Sequence, residues 1–436
     1  MIVQLTASKI AELVGGRLVG EDVVVDGVQF DSRAEIDGRL FIAIEAERNG
    51  HDFVPHAFSA GAHCAMVSQH IDEPAGTLVV VDNTLNAFAS LARNVRMNTL
   101  AHAQVVGVTG SVGKTSTKNL ITGALSSLEV SSSLKSFNNE QGVPFTILNA
   151  SQNSDVVVVE MGMRGFGEIS HLCDIAAPTI GVVTRVGEAH TARLGGIDGV
   201  ATAKAELVQA LPATGTAVLN ADDERVLRMA SLCAGSVVTY GSEGDVSASR
   251  IHTDPLGCSS FLFSSPWGSG DVSLRLPGQH MMQNALAAIA VGGILSVPLE
   301  QLIAGLESVV AEDRRMVVHQ LPSGSLVIDD CYNANPTSVT AALRTVANLD
   351  VDRKIAVLGE MAEVDDPELA HRQIVAIADE LGIEIVAIDT DYYGLASTHE
   401  VPKFVGSSLE GGNTAVLVKG SRIAGLERIV DELIAS

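Results

Sequence analysis

Short apolar runs, most of them followed by a stretch of helical periodicity, recur through most of this chain. The runs are Val105–Val108, Val156–Val159, Ile180–Val183, Ala217–Leu219, Leu326–Ile328, Ile355–Leu358, Ile385–Ile388 and Ala415–Val418. Helical patterns lie between many of them, at Thr115–Leu125, Val200–Leu211, Asn284–Leu295 and Val339–Leu349, and a last one, Ile423–Ile434, closes the chain. A strand that is apolar at every position is buried on both faces, which calls for parallel sheets covered by crossover helices. The expected fold class is therefore α/β. At roughly 150 residues per domain, 436 residues suggest three domains. Boundaries are read near Asp82-Asn83, where a strand-like run gives way to a helical stretch, and near Ala311-Glu312-Asp313, where a helical pattern ends in charge. They divide the chain into 1–83, 84–312 and 313–436. Segment 241–275 is rich in Ser and Gly and alternates, as in Phe261-Leu262-Phe263, so it reads as an antiparallel insertion.

Charge and composition remove several function classes. The chain carries 28 basic and 52 acidic residues, a net charge of −24. Such a chain repels the phosphate backbone of a nucleic acid, and no basic run offsets it. An anionic small substrate would need local help from Lys, Arg, a metal or backbone amides. No apolar run approaches the ~20 residues of a bilayer span. The start, Met1 to Ala7, lacks a basic region leading into an apolar stretch, so a cytoplasmic address is expected. The five cysteines are odd in number and show no C-x-x-C spacing, which favours reduced, buried thiols over a disulfide framework or a zinc site.

Chemistry enters at Gly107-Val108-Thr109-Gly110-Ser111-Val112-Gly113-Lys114-Thr115-Ser116, between an apolar strand and a helix. Gly110 and Gly113 allow the backbone to turn its amides inward, and the helix start adds a positive dipole end, so phosphates bind there. Lys114 should reach the outer phosphates and the Thr115 hydroxyl should bind Mg²⁺. Glu160 directly follows the run Val156–Val159, at the ligand-facing edge of a parallel sheet, where it is either a second metal ligand or a helix cap. His190 follows Ile180–Val183 and is either a metal ligand or structural. Read alone, Lys204 is a solvated lysine on a helix.

Taken with further strings, these pieces resemble the Mur ligases, the ATP-dependent amide-forming enzymes of peptidoglycan precursor synthesis. The strings include Asp31-Ser32-Arg33, Asn49-Gly50-His51-Asp52-Phe53, Phe137-Asn138-Asn139-Glu140-Gln141-Gly142-Val143-Pro144 and Glu160-Met161-Gly162. Later come Ala203-Lys204-Ala205-Glu206-Leu207, Leu219-Asn220-Ala221-Asp222-Asp223, His280 with Asn284, Asp329-Asp330-Cys331-Tyr332-Asn333-Ala334-Asn335-Pro336 and Val418-Lys419-Gly420-Ser421-Arg422. The match runs in order over essentially the whole chain. The strings at Asn138 and Tyr332 point to the dipeptide-adding branch.

The resemblance implies a small mixed α/β N-terminal domain for the UDP end of the substrate and a central P-loop domain with a mainly parallel sheet. It implies a C-terminal Rossmann-like domain that closes over the nucleotide and receives the dipeptide. The implied substrates are UDP-N-acetylmuramoyl-tripeptide, D-Ala-D-Ala and ATP, with Mg²⁺, acting through an acyl phosphate in a monomer. Thr115 and Glu160 would hold one Mg²⁺; Glu160, His190 and Lys204 would hold a second. An ammonium cannot ligate a cation, and the family's answer is a carbamylated Lys204. Asn284 would approach the adenine, while Arg315, with Arg314 adjacent as the alternative, and Asp330 would contact the nucleotide on closure. Ser32 and Arg33 would contact the uridine diphosphate, Asn49 and His51 the same substrate, and Asn138 and Asn139 its muramoyl side. The rivals are a ligase of the same fold adding a single amino acid, or glutamate to folate, and a P-loop nucleotide switch or scaffold without ligase activity.

Overall fold

In the computed structural model, which describes residues 2–435 apart from 73, 135, 189–190, 313 and 363, the apolar runs become the middle strands of two large sheets. The central sheet has six parallel strands in the order Ser236–Tyr240, Thr216–Asn220, Ile180–Val183, Gln104–Thr109, Val156–Glu160, Val130–Ser132. Successive side chains on a strand face opposite ways. Val106, Val108, Val156, Val158 and Val182 therefore enter one apolar core, and Val105, Val157, Val159 and Val183 enter another. The strands read as unbroken apolar runs because both faces are covered.

The first of these cores joins the central sheet to the helix Gln279–Ile294, to the antiparallel strands Ser247–Thr253, Cys258–Ser265 and Gly268–Pro277, and on to Leu343 and Val346 in the C-terminal part. The other joins the opposite face to Ile10, Val28, Leu40 and Val79 of the N-terminal part. That N-terminal part carries a five-stranded sheet, parallel except for one edge strand, Arg17–Val19. The helix Thr84–Asn98 leads from it into the central sheet, capped by the Asn83 side chain on the Asn86 N–H. Near its end, buried Arg96 donates to the carbonyl of Leu100 at 2.6 Å, beyond the helix, and to that of Ala176 at 3.0 Å, where Glu168–Ala176 stops, tying the two helix ends together.

The C-terminal sheet has the order Val317–Gln320, Leu326–Asp329, Thr414–Lys419, Arg353–Leu358, Glu384–Ile388, Ser397–Thr398, with only the first pair antiparallel. Here His371 is fully buried. Its Nδ1 lies 2.5 Å from the Pro367 carbonyl and its Nε2 accepts from the Met361 N–H at 2.9 Å, the pattern of a neutral ring; burial pushes its pKa down. One expectation is corrected. The closing pattern Ile423–Ile434 is not one helix: a short 3₁₀ turn, Arg422–Ala424, ends at Gly425 with φ +56°, and the α-helix begins at Glu427. The apolar period continues across the break because Leu426, Ile429 and Leu433 all enter the same core.

Candidate active site

The carboxyl ends of the central strands open into a cavity of about 1640 Å³, walled on its far side by the C-terminal domain. That is where ligands bind in open parallel sheets. The phosphate loop forms its floor. Gly113 has φ +82°, and a Cβ there would stand 2.9 Å from Asn284 Oδ1; at Gly110 a Cβ would fall 1.8 Å from Thr184 Oγ1. Only glycine fits either place. The Thr184 hydroxyl braces the loop by donating to the Val112 carbonyl at 2.6 Å. Lys114 opens the helix Lys114–Ala124, and its Nζ donates to the Gly110 carbonyl at 2.7 Å.

Glu160, fully buried at the end of its strand, meets the loop directly. Thr115 Oγ1 donates to Glu160 Oε2 at 2.7 Å, and Asn138 Nδ2 donates to Oε1 at 2.8 Å. The Glu160 N–H is held by Ser133 Oγ at 3.2 Å. A hydroxyl and a carboxylate oxygen brought together beside a phosphate loop form a hard, oxygen-only donor set, which suits Mg²⁺ completed by water and phosphate. Asn139 lines the cavity, and its Oδ1 accepts from the N–H groups of Gln141 and Gly142 at the start of a helix.

Lys204 comes to the same place on the helix Ile197–Gln209. A Cβ at Gly107 would lie 3.0 Å from Leu207, so the helix packs tightly on the sheet, and Lys204, one turn earlier, lines the cavity. It is 3% exposed. Burial pushes its amine well below the ordinary lysine value, and the nearby charge of Lys114 adds to this. No hydrogen bond or ion pair reaches Lys204 among the described residues. His190 lies outside the described residues.

The C-terminal domain contributes the opposite wall. The two adjacent arginines part company here: Arg314 and Met316 adopt φ of +56° and +55°, and the intervening Arg315 turns into the cavity. Arg315 Nη2 donates to Ser136 Oγ at 2.7 Å, and its guanidinium lies 3.8 Å from the Tyr332 ring centre. Arg314 instead pairs with Asp329 at 3.1 Å and Asp431 at 3.4 Å. Asp330 lines the cavity with its carboxylate 2.5 Å from buried Lys419 Nζ. His280 also faces the cavity, and burial pushes its imidazole down. Asn284 is nearly buried against the phosphate loop.

The sequence-derived residues of the N-terminal domain lie apart from this cavity. Ser32 is buried, and exposed Arg33 forms a two-pronged pair with Asp31 at 2.9 and 2.8 Å, which holds the Asp31 carboxyl below its usual range. His51 is buried, with Nδ1 2.8 Å from Asn49 Oδ1 and Nε2 accepting from the Ser68 N–H at 2.9 Å. Gly107, Val108 and Thr109 form the strand that feeds the loop. Sequence reasoning passed over Ser133, Ser136 and Lys419. The two serines sit in a polar run that reads as a turn, and Lys419 belongs to a string that carried the resemblance without a role of its own.

Comparison with known proteins points the same way. Residues 108–292 match the family model of the Mur ligase middle domain, and residues 314–422 match that of the Mur ligase, glutamate ligase domain. The UDP-N-acetylmuramoyl-tripeptide–D-alanyl-D-alanine ligase of Mycobacterium tuberculosis is 35% identical over 100% of this chain and 98% of its own. Among solved structures, MurF from Acinetobacter baumannii superposes with a TM-score of 0.91 at 28% identity, covering both chains fully. Another structure from that organism, named UDP-N-acetylmuramoylalanyl-D-glutamyl-2,6-diaminopimelate–D-alanyl-D-alanyl ligase, gives 0.88 at 28% identity over 100% of this chain and 99% of that one.

Proposed function

The chain belongs to the Mur ligase family, and from that premise we propose that it joins D-alanyl-D-alanine to UDP-N-acetylmuramoyl-tripeptide at the expense of ATP, in peptidoglycan precursor synthesis. The observation that carries this reading is the meeting of Lys114, Thr115, Glu160 and Lys204 in one cavity that Arg315 enters from the C-terminal domain.

A carboxylate expels oxide too poorly to be attacked by an amine, so it is activated first. Its oxygen attacks the γ-phosphorus of ATP, the bond to ADP breaks, and an acyl phosphate forms. The neutral dipeptide amine then adds to the acyl carbon; the C–O bond to phosphate breaks, phosphate leaves with its electron pair, and the nitrogen gives up one proton. Two anions must meet in the first step. Lys114 and the loop amides hold the phosphates, and Arg315 adds positive charge from the opposite side. Thr115 and Glu160 would hold Mg²⁺, which when bound screens the charge between phosphate and carboxylate. The two nucleotide-facing walls exclude water that would hydrolyse the acyl phosphate. Asn284 approaches the adenine, and Asp330 reaches the nucleotide when released from Lys419.

Lys204 fits a second metal position only as a carbamate, together with Glu160 and His190. Its burial favours the neutral amine, the form that adds to CO₂. The nitrogen bonds to carbon, a C=O electron pair moves to oxygen, and one proton is released. The charge at this position changes from positive to negative, with two oxygens facing the site.

We assign residues 1–83 to the UDP end of the substrate, including Ser32, Arg33, Asn49 and His51, residues 84–312 to ATP, and 313–436 to closure and the dipeptide. Asn138 and Asn139 lie on the muramoyl side. The enzyme is a cytoplasmic monomer in this reading; no helix among the described residues is long and apolar enough to cross a membrane. Mass spectrometry of the product formed from UDP-N-acetylmuramoyl-tripeptide, ATP and D-Ala-D-Ala tests it. A mass gain equal to the dipeptide minus water, with one phosphate released, is expected. Product only with a single amino acid, or ATP hydrolysis without any amide, overturns it.

A further inference from the structure

On the ligase reading above, the peptide end of the substrate must also be recognised, and among the cavity's arginines with no place in the phosphate chemistry two, Arg164 and Arg193, flank the helix that carries Lys204. Arg164 stands in the loop between Glu160 and the helix Glu168–Ala176, and Arg193 on the short helix Thr191–Leu194. Both segments are fixed to the helix that carries Lys204. Glu206, two residues beyond Lys204, accepts from the N–H groups of Gly167 at 2.7 Å and Ser170 at 2.9 Å. The short helix abuts the other end: a Cβ on Gly199 would lie 1.8 Å from the Leu194 carbonyl. The arginines therefore stand on the Lys204 side of the cavity, whose wall there includes Asn86 and Ala89 of the helix arriving from the N-terminal domain.

Their charges are unmatched. Neither guanidinium has a hydrogen bond or ion pair among the described residues. Of the carboxylates four residues from Arg164, Glu160 is held by Thr115 and Asn138 and Glu168 by the Arg164 backbone N–H at 2.7 Å; Asp198 pairs with Arg225, and Glu206 is taken up by the helix start. In a chain with 52 acidic residues against 28 basic ones, two such arginines gathered on the Lys204 side of the cavity are a feature of the site. A guanidinium offers a planar fork of donors that matches a carboxylate.

We infer that Arg164 and Arg193 are specificity-determining residues that bind a carboxylate on the peptide of the UDP-sugar substrate, one that is not itself activated. Two carboxylates have this chemistry: that left on a glutamyl residue inside the peptide, and the second one of a diamino diacid at its third position.

Kinetics of wild type, Arg164→Met and Arg193→Met on three substrates separate the cases. The substrates end in 2,6-diaminopimelate, end in lysine instead, or keep 2,6-diaminopimelate with the glutamyl carboxylate amidated. Each variant should lose about 10- to 100-fold in kcat/KM on a peptide with the recognised carboxylate and less than about twofold on the peptide without it. Insensitivity on the lysine peptide identifies the third residue; insensitivity on the amidated peptide identifies the glutamyl group. The KM for ATP should not move. Equal losses on all three peptides, or no loss on any, overturn the inference while leaving the ligase reading intact. A wild type that turns over none of the three overturns both.

Discussion

Arg315 of the C-terminal domain and Ser136 of the central domain are joined by a 2.7 Å hydrogen bond, close to Thr115, whose hydroxyl lies 3.4 Å from the same serine oxygen. The bond connects the C-terminal wall of the cavity to the Thr115–Glu160 pair of the central domain. Arg315→Met should lower kcat by about 100-fold or more, since it removes a charge aimed at the transferred phosphate. Tyr332→Leu, which removes only the ring beside Arg315, should cost less than Arg315→Met. Equal effects, or full activity in Arg315→Met, would show that the guanidinium does not act on the nucleotide.

Closure has its own readout. The chain leaves the central part after the helix Leu299–Ser308 and enters the C-terminal sheet at Val317–Gln320, with cavity-facing Arg315 just before that strand, and closure is expected to turn on residues 311–313. X-ray scattering with an ATP analogue and UDP-substrate should show the radius of gyration fall relative to free enzyme. An unchanged radius, with binding verified separately, counts against a hinge there.

Lys114→Ala should abolish turnover, with a loss on the order of 10³-fold or more. Its fold should survive, as judged by circular dichroism and an unchanged melting profile without nucleotide, because a loop lysine that holds a carbonyl contributes little packing. Retention of more than a small fraction of activity would exclude the phosphate-loop assignment.

Lys204→Ala should lose most activity and regain part of it when a small carboxylate such as acetate is supplied. Lys204→Arg should show no such rescue, since a guanidinium keeps positive charge beside Lys114. Mass spectrometry of the intact wild type under bicarbonate, after trapping of the carbamate by O-alkylation, should find Lys204 modified. Rescue of both variants alike, or of neither with no trapped carbamate, would exclude the modification.

Arg96→Met should destabilise the protein by about 1–3 kcal/mol, because it leaves the Ala176 carbonyl at a buried helix end without its donor. Chemical denaturation reads this directly, and a change below about 0.5 kcal/mol would contradict the structural role.

Stability should also fall in mild acid. His51, His280 and His371 are all pushed below the ordinary histidine pKa by burial. Unfolding frees them to bind protons, so the unfolded chain takes up more protons than the native one below about pH 6.5. Their contribution is complete above that value and is lost as the pH drops toward their native pKa values, each by at most about 1.4 kcal/mol per pH unit. Denaturation at pH 7.5 and 5.5 should show this decline, and His371→Gln should make it shallower. A stability independent of pH over that range would contradict the buried, neutral rings.

The sequence was most legible where a residue's role follows from its chain neighbours. Val156–Val159 read as a strand buried on both faces, and Gly113-Lys114-Thr115 after an apolar run read as a loop opening a helix, which begins at Lys114. Lys204 was legible through family resemblance alone, since its burial comes from Leu207 seating the helix against Gly107, a contact between residues 100 apart in the chain. The choice between Arg314 and Arg315 turned on backbone conformation at Arg314 and Met316 that adjacent, similar residues do not announce. Ser136 was invisible because both of its partners, Thr115 and Arg315, arrive from elsewhere. The break at Gly425 was hidden because the apolar period on its two sides stays in phase.

The central sheet shares one apolar core with the N-terminal part and another with the C-terminal part. A blade passed through the chain near 83 or 312 would therefore cut across oil. A fragment beginning at residue 84 would bare the apolar face of the helix Thr84–Asn98 that packs against the helix Ala7–Val14 of the N-terminal part. Such a piece would be sticky and prone to self-association. Exchanging an end domain with a relative's would succeed only where both sides of the seam are exchanged together, so the smallest unit that evolution or an engineer can transplant intact is larger than any one of the three domains.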